Sequence, residues 1–151
     1  MVALDFTHLQ MSRDGYEDVL VITDVYTKWV VAIPVKDQSA DTVVKALIGH
    51  WIVNFGAPIQ LHSDQGRSFE SHLVNLQFHH YGIHKSRTTP YHPAGNGVCE
   101  RLNSTMHQLL KTLPEHDKAA WPKRLKELVN FYNTTLHSFT TAELLLCPSM
   151  F

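Results

Sequence analysis

Three carboxylates stand at positions where chemistry would need them. Asp5 lies inside the alternating stretch Val2-Ala3-Leu4-Asp5-Phe6-Thr7, on the face opposite Leu4 and Phe6. Asp64 follows Ile59-Gln60-Leu61-His62, at the C-terminal end of a predicted strand, where the sites of α/β sheets collect. Glu100 falls in the first turns of a predicted helix with an apolar stripe at Leu102, Met106, Leu109 and Leu113. At about 100° per residue, Glu100 points roughly 200° away from Leu102. Asn103, His107 and Lys111 share the face of Glu100. An amide, an imidazole and an ammonium beside one carboxylate is what a helix laid along nucleic acid would present.

A group of carboxylates suits a hard divalent cation. Mg²⁺ takes oxygen ligands in octahedral geometry, typically one or two carboxylates with waters and substrate phosphate oxygens. Two such ions about 3.5–4 Å apart activate an attacking hydroxyl and stabilise the leaving oxygen of a phosphoryl displacement. The same residues also have plain structural uses. Asp5 could cap a turn, Asp64 could close an Asx-turn onto Gly66, and Glu100 could be a solvated helix charge. Residue type and position alone leave both uses open.

The elements that must position these acids read as follows. Strands are expected over 2–7, 19–22 and 29–33, the first ended by the turn Ser12-Arg13-Asp14-Gly15 and the third by Pro34. Short links between the three imply an antiparallel meander. Val44, Leu47, Ile48, Trp51 and Phe55 mark a helix closed by Gly56. A fourth strand covers 59–62. A second helix runs from about Phe69, through Leu73 and Leu76, to Tyr81, with Gly82 as its stop. A short strand covers 83–88, a loop 89–97, and a third helix starts near Val98. A fourth helix runs from Pro122 to about Leu136, with Trp121, Leu125, Leu128 and Tyr132 on one face. The order predicts an α/β fold: one domain, 1–151, with helices covering a mixed sheet.

Composition agrees with a packed domain. The chain is 151 residues long, 44% hydrophobic and 18% charged, which argues against disorder. No apolar run approaches the roughly 18 residues of a membrane span, and no basic-then-apolar signal segment opens the chain. Cys99 and Cys147 are too few for a disulfide framework, and the eleven histidines lack the paired spacing of a zinc site. The expectation is a soluble domain from a reducing, intracellular compartment, without membrane or zinc. The net charge of −1 hides an asymmetry. Residues 84–126 hold eight Lys or Arg against three acids, giving +5, while the remainder holds five against eleven, giving −6. Such a division suggests a polyanion partner on one surface and a cation site on another.

Local motifs narrow this further. The stretch His62-Ser63-Asp64-Gln65-Gly66-Arg67-Ser68-Phe69-Glu70-Ser71, then Thr88-Thr89-Pro90-Tyr91-His92-Pro93, then Gly95-Asn96-Gly97-Val98-Cys99-Glu100-Arg101-Leu102-Asn103, closely resembles the integrase catalytic core of retroviruses and Gypsy-type long-terminal-repeat retrotransposons. That family separates its second and third acids by 35 residues, the number lying between Asp64 and Glu100 here. The likeness extends upstream through Val21-Ile22-Thr23-Asp24-Val25-Tyr26-Thr27-Lys28-Trp29 and downstream through Phe131-Tyr132-Asn133-Thr134-Thr135-Leu136-His137-Ser138.

The resemblance implies an RNase H-like fold, a five-stranded mixed sheet whose first three strands are antiparallel, with helices on both faces. It implies polynucleotidyl transfer, in which water trims a DNA 3′ end and the freed hydroxyl attacks a target phosphodiester. Asp5, Asp64 and Glu100 match the metal-binding catalytic acids, served by two Mg²⁺ or Mn²⁺ ions. Asp24 matches a structural strand-end position. His92 and Asn96 match the family's mobile loop near DNA, Asn103 and His107 would contact DNA ends, and Lys111 and Arg87 would hold phosphates. Element ends and target DNA are the implied partners, with a homodimer or higher oligomer and a nuclear location. The chain departs from the family at Thr7-His8, where Gly-Pro is usual, at Val98, where Gln is common, and at Ser104, where Arg is common. Flanking zinc-binding and C-terminal DNA-binding domains are not in this sequence. These departures also suit a domesticated, non-catalytic module that binds nucleic acid or protein.

Overall fold

The structure, a computed structural model, describes residues 1–87 and 96–134, without the side chains of residues 87, 96–102, 109, 115 and 116. Five strands form one sheet in the order β3-β2-β1-β4-β5. They are β1 (Val2–His8), β2 (Asp18–Asp24), β3 (Val30–Val35), β4 (Gln60–Ser63) and β5 (His84–Arg87). β1, β2 and β3 pair antiparallel, and β1–β4 and β4–β5 pair parallel, so the sheet is mixed as expected.

Strand alternation sorts the side chains into two cores. Val2 and Leu4 of β1, Leu20 and Ile22 of β2 and Leu61 of β4 face one way. There they pack under α1 (Ala40–Ala46), the π-helical stretch Leu47–Ile52 that continues into α2 (Val53–Phe55), and α3 (His72–His80). Val19, Val21 and Val30 face the other way and pack with Met106, Trp121, Leu125 and Val129. These come from α4 (Asn96–Lys111) and α6 (Trp121–Thr134), joined by the short α5 (Glu115–Lys118), a turn the sequence pattern does not announce. Residues 19–22 lie in the middle of the sheet and are buried on both faces, which explains their unbroken apolar run.

Several elements differ in detail from the expectation. β3 runs through Pro34, which pairs with Val19. It can do so because β3 is an edge strand, where a missing N–H is tolerated on the open side. In the first helix Val43 is buried and Val44 is only half-buried; winding by i→i+5 from Leu47 keeps Leu47 and Trp51 inward. α3 starts after its cap Ser71, whose side chain accepts from the Val74 amide. That phase buries Val74 and Phe78 and leaves Leu73 and Leu76 exposed. On α6, Val129 and Asn133 join Trp121 and Leu125 inside, while Leu128 and Tyr132 are half-buried. α4 begins at Asn96, so Asn96 and Gly97 belong to the helix and not to the loop.

Polar pins fix the second layer. Buried Asn133 donates to the Val30 carbonyl at 2.8 Å and accepts from the Val30 amide at 2.9 Å, so α6 satisfies part of the edge strand. Trp121 Nε1 donates to the Gln10 carbonyl at 2.8 Å, tying the start of α6 to the chain leaving β1.

Candidate active site

Asp5 is half-buried in β1, directly across from Val21 and therefore on the face covered by α4 and α6. It caps no turn. Its Oδ1 accepts from the Phe6 amide at 2.9 Å, and its Oδ2 accepts from Asn103 Nδ2 at 2.8 Å. Asp64 is exposed and immediately follows β4. The parallel register pairs Val2 with Leu61, Ala3 with His62 and Leu4 with Ser63. One step further along that register come Asp5 and Asp64, on strands spaced about 4.8 Å apart. Two acids 59 positions apart in sequence are thus neighbours because β1 and β4 are parallel partners.

The turn after β4 aims Asp64. Its Oδ1 accepts from the Gly66 amide at 2.9 Å, and the Gly66 carbonyl accepts from the amides of Phe69 at 3.0 Å and Glu70 at 3.1 Å. The Asx-turn is therefore present, and it orients the acid. A Cβ on Gly66 would lie 2.9 Å from Asp64 Oδ1, closer than side-chain atoms tolerate. Phe69 at the end of this turn stacks on Phe6, with ring centroids 5.2 Å apart. The residue after Asp5 thus locks against the loop that carries Asp64, on the sheet face behind the acids.

α4 brings in the third position. Glu100 lies in this helix, three residues before Asn103, so its backbone stands one turn from the residue that holds Asp5. Asn103 is half-buried on the sheet side, the same side as Met106 and Leu110. Helical periodicity expects Asn103 to face DNA, and in the structure its Nδ2 has Asp5 as partner. An ionised carboxylate only accepts, so the amide turns its NH₂ to Asp5 and its oxygen away. That Oδ1 is buried and has no hydrogen-bond partner.

His62 is a member of this neighbourhood that sequence reasoning misses. It shares a strand face with Asp64, and its Nδ1 lies 3.1 Å from Ser86 Oγ across the β4–β5 pair. Burial pushes its pKa below the ordinary histidine value, favouring the neutral ring. Its position two residues before Asp64 in a strand is the signal that could have found it. Asp24 closes the β2–β3 turn, accepting from the amides of Tyr26 and Thr27 and from Thr27 Oγ1, in keeping with the structural role expected of it.

The remaining residues expected at DNA are dispersed. His107 and Lys111 lie along α4 beyond Asn103, Arg87 ends β5, and Asn96 opens α4. His92 lies outside the described residues. Within the described part of the basic segment, Lys85 pairs with Glu70 at 2.9 Å, and Arg124 with Asp117 at 3.3 Å and Glu127 at 3.0 Å. Among the described residues, no three His, Cys, Asp or Glu side chains form a metal-sized group. The donor set still suits a divalent cation: two oxygen-rich acids on neighbouring parallel strands, Asp5 within β1 and Asp64 just past β4, with the Asn103 amide bonded to the first.

An antiparallel meander extended by two parallel strands, with one acid within β1, another just past β4 and helices on both faces, defines the RNase H-like fold of integrase catalytic cores. Among the solved structures that share it are two integrases. The intasome of simian T-cell lymphotropic virus in complex with PP2A regulatory subunit B56 gamma matches with a TM-score of 0.71 at 21% identity, over 94% of this chain and 50% of that one. The catalytic core domain of BIV integrase matches with a TM-score of 0.67 at 20% identity, over 91% of this chain and 85% of that one. In sequence, residues 1–93 match the integrase core domain family, and the chain belongs to that family. Its relatives include the Pro-Pol polyprotein of simian foamy virus type 1, 38% identical over 108 residues, covering 72% of this chain and 9% of the relative. The Gag-Pol polyprotein of avian reticuloendotheliosis virus is 29% identical over 124 residues, covering 82% and 11%. The retrovirus-related Pol polyprotein from transposon 412 of Drosophila melanogaster is 28% identical over 139 residues, covering 90% and 11%. The chain spans about a tenth of the length of these curated relatives.

Proposed function

We propose that this chain is the metal-dependent catalytic core of a DNA integrase from the retroviral and Gypsy-type lineage, acting in 3′-end processing and strand transfer. The observation that carries the reading is the parallel register that sets Asp5, within β1, beside Asp64, just past β4, with Asn103 of the Glu100-bearing helix bonded to Asp5. Asp5, Asp64 and Glu100 would hold two Mg²⁺ or Mn²⁺ ions. When bound, such a pair supplies Lewis acidity toward the attacking hydroxyl and the leaving oxygen of the phosphodiester. The chain's own residues do the rest. Gly66 and the Phe6–Phe69 stack hold Asp64 in line with Asp5, and Asn103 keeps the Asp5 carboxylate turned toward α4. No side chain needs to act as a covalent nucleophile, since water or a DNA hydroxyl attacks.

His92, Asn96, Asn103, His107, Lys111 and Arg87 are the residues assigned to DNA, with element ends and target DNA as substrates. A homodimer or higher oligomer and nuclear action follow from the same reading. A strand-resolution assay on a branched oligonucleotide with Mg²⁺ or Mn²⁺ tests it, because this reversal of strand transfer asks least of additional domains. Metal-dependent rejoining that Asp64→Asn and Glu100→Gln both abolish is the expected result. Folded protein that shows no rejoining and no metal-induced stabilisation would leave the domesticated, non-catalytic binding module in its place.

A further inference from the structure

Lys85 belongs to the basic segment 84–126, yet its side chain is only 12% exposed. It stands on β5 in register with the buried Leu61 of β4, on the sheet face that packs under α3. There its Nζ donates to the Phe69 carbonyl at 2.5 Å and to Glu70 Oε1 at 2.9 Å. An ammonium taken out of water needs such acceptors, and bonds from a charged donor are about twice as strong as neutral ones. Lys85 therefore grips the end of the turn that begins at Asp64.

The gripped group is one peptide unit. Its C=O, on Phe69, accepts from Lys85, and its N–H, on Glu70, closes on the Gly66 carbonyl at 3.1 Å. Because the unit is planar, a shift of the carbonyl tilts the N–H that reaches Gly66. Gly66 in turn donates its own amide to Asp64 Oδ1 at 2.9 Å. The ring of Phe69 stacks on Phe6, the residue after Asp5. A pair with Glu70 alone would only tie β5 to the loop. The bond to the Phe69 carbonyl adds a hold on the geometry of the turn itself.

We propose that Lys85 is a positioning residue for the integrase reaction, fixing the Phe69–Glu70 peptide so that the turn presents Asp64 beside Asp5. This role rests on the DNA-integrase reading and extends it to a cation that works inside the fold, away from DNA.

Amide hydrogen exchange in the metal-free chain, followed by NMR, tests the hold directly. The variants are Lys85→Met, Glu70→Gln and, as a control in the same core, Phe78→Leu. The Gly66 and Glu70 amides should exchange about tenfold faster in Lys85→Met, since surface turns open locally, and at the wild-type rate in the other two. Mn²⁺ affinity by calorimetry should fall about tenfold in Lys85→Met alone, as it does when a partner that orients a metal ligand is lost, and strand resolution at limiting Mn²⁺ should fall with it. The slope of log DNA affinity against log salt should stay at the wild-type value, where loss of a phosphate contact would flatten it by about 0.9. Should the methionine variant not fold, Lys85→Arg takes its place, because a planar guanidinium keeps the charge opposite Glu70 and displaces the carbonyl. Wild-type exchange in the Lys85 variant, an equal response in Glu70→Gln, a flattened salt slope, or faster exchange with Mn²⁺ affinity intact would each overturn the positioning role and leave the DNA reading standing. Wild-type protein that takes up no Mn²⁺ and rejoins no DNA would overturn both.

Discussion

Gly66→Ala separates the orientation of Asp64 from the stability of the fold. The new Cβ would stand 2.9 Å from Asp64 Oδ1 and 3.5 Å from the Phe69 ring. Ordinary contact begins near 3.4 Å, so the carboxylate must move by about half an ångström or rotate out of its bond to the Gly66 amide. The stability effect is small. The turn is at the surface, Asp64 is exposed, and the alanine reduces the freedom of the unfolded chain by about 0.4–1 kcal/mol, offsetting the loss of one Asx bond of about 1 kcal/mol. Catalysis has no such offset, because misplacing a reacting group by about 1 Å costs about a hundredfold. Half that displacement gives a loss of about tenfold. Strand resolution measured with Mn²⁺, beside a thermal melt, should show activity down about tenfold with the midpoint within about 2 °C of wild type. Full activity in a variant of unchanged stability would refute the claim that the Asx-turn aims this acid.

Three further outcomes follow from other side chains. Asn103→Leu removes a half-buried amide bonded to a carboxylate, worth about 2 kcal/mol, so the melting midpoint should fall by about 4–8 °C, and Mn²⁺ affinity measured by calorimetry should fall with it. Phe69→Leu and Phe78→Leu both shrink a buried ring and should each cost about 1–2 kcal/mol by chemical denaturation. Only the first should also depress strand resolution beyond the loss of folded protein, because Phe69 alone stacks on the residue next to Asp5. At the start of α1 the hydroxyls of Ser39 and Thr42, and then the Ser39 amide, favour the ionised Asp37 carboxylate and lower its pKa from 3.8 to about 2. Its contribution to stability is therefore complete above pH 3.8 and lost as the pH falls toward 2. Asp37→Asn should flatten the stability profile in that window and leave activity at neutral pH unchanged, as acid-titration melts would show.

The sequence is most readable where one physical rule acts alone. Period-two alternation puts Asp5 on the face opposite Leu4 and Phe6, and the continuous apolar run at 19–22 marks a central strand. The topology of the first three strands follows from their short links. Helix faces are less readable, because apolar residues outnumber the positions that need burying. Leu73 and Leu76 compete with Val74 and Phe78, and only the cap at Ser71 and the approach of the chain from Phe69 decide between them. The π-helical winding from Leu47 leaves no mark in a pattern read at 3.6 residues per turn. The His62–Ser86 contact depends on the register between two parallel strands, which nothing local records.

Asn103 shows why the site itself resists such reading. Periodicity assigns polar residues outward because burying a polar group without a partner is costly. Midway along β1 the sheet presents a carboxylate, so the inward face of α4 there must be polar too. Asn103 therefore shares the sheet side with Met106 and Leu110, and the boundary between polar and apolar residues on α4 does not coincide with the boundary between outside and inside. The consequence is mechanical. β1 and β4 are held to each other by the backbone ladder, whatever their side chains, whereas the helix carrying Glu100 is tied to Asp5 by the Asn103 amide. Substitution of that amide is therefore the change most able to separate the third acid from the first two while the sheet stays whole.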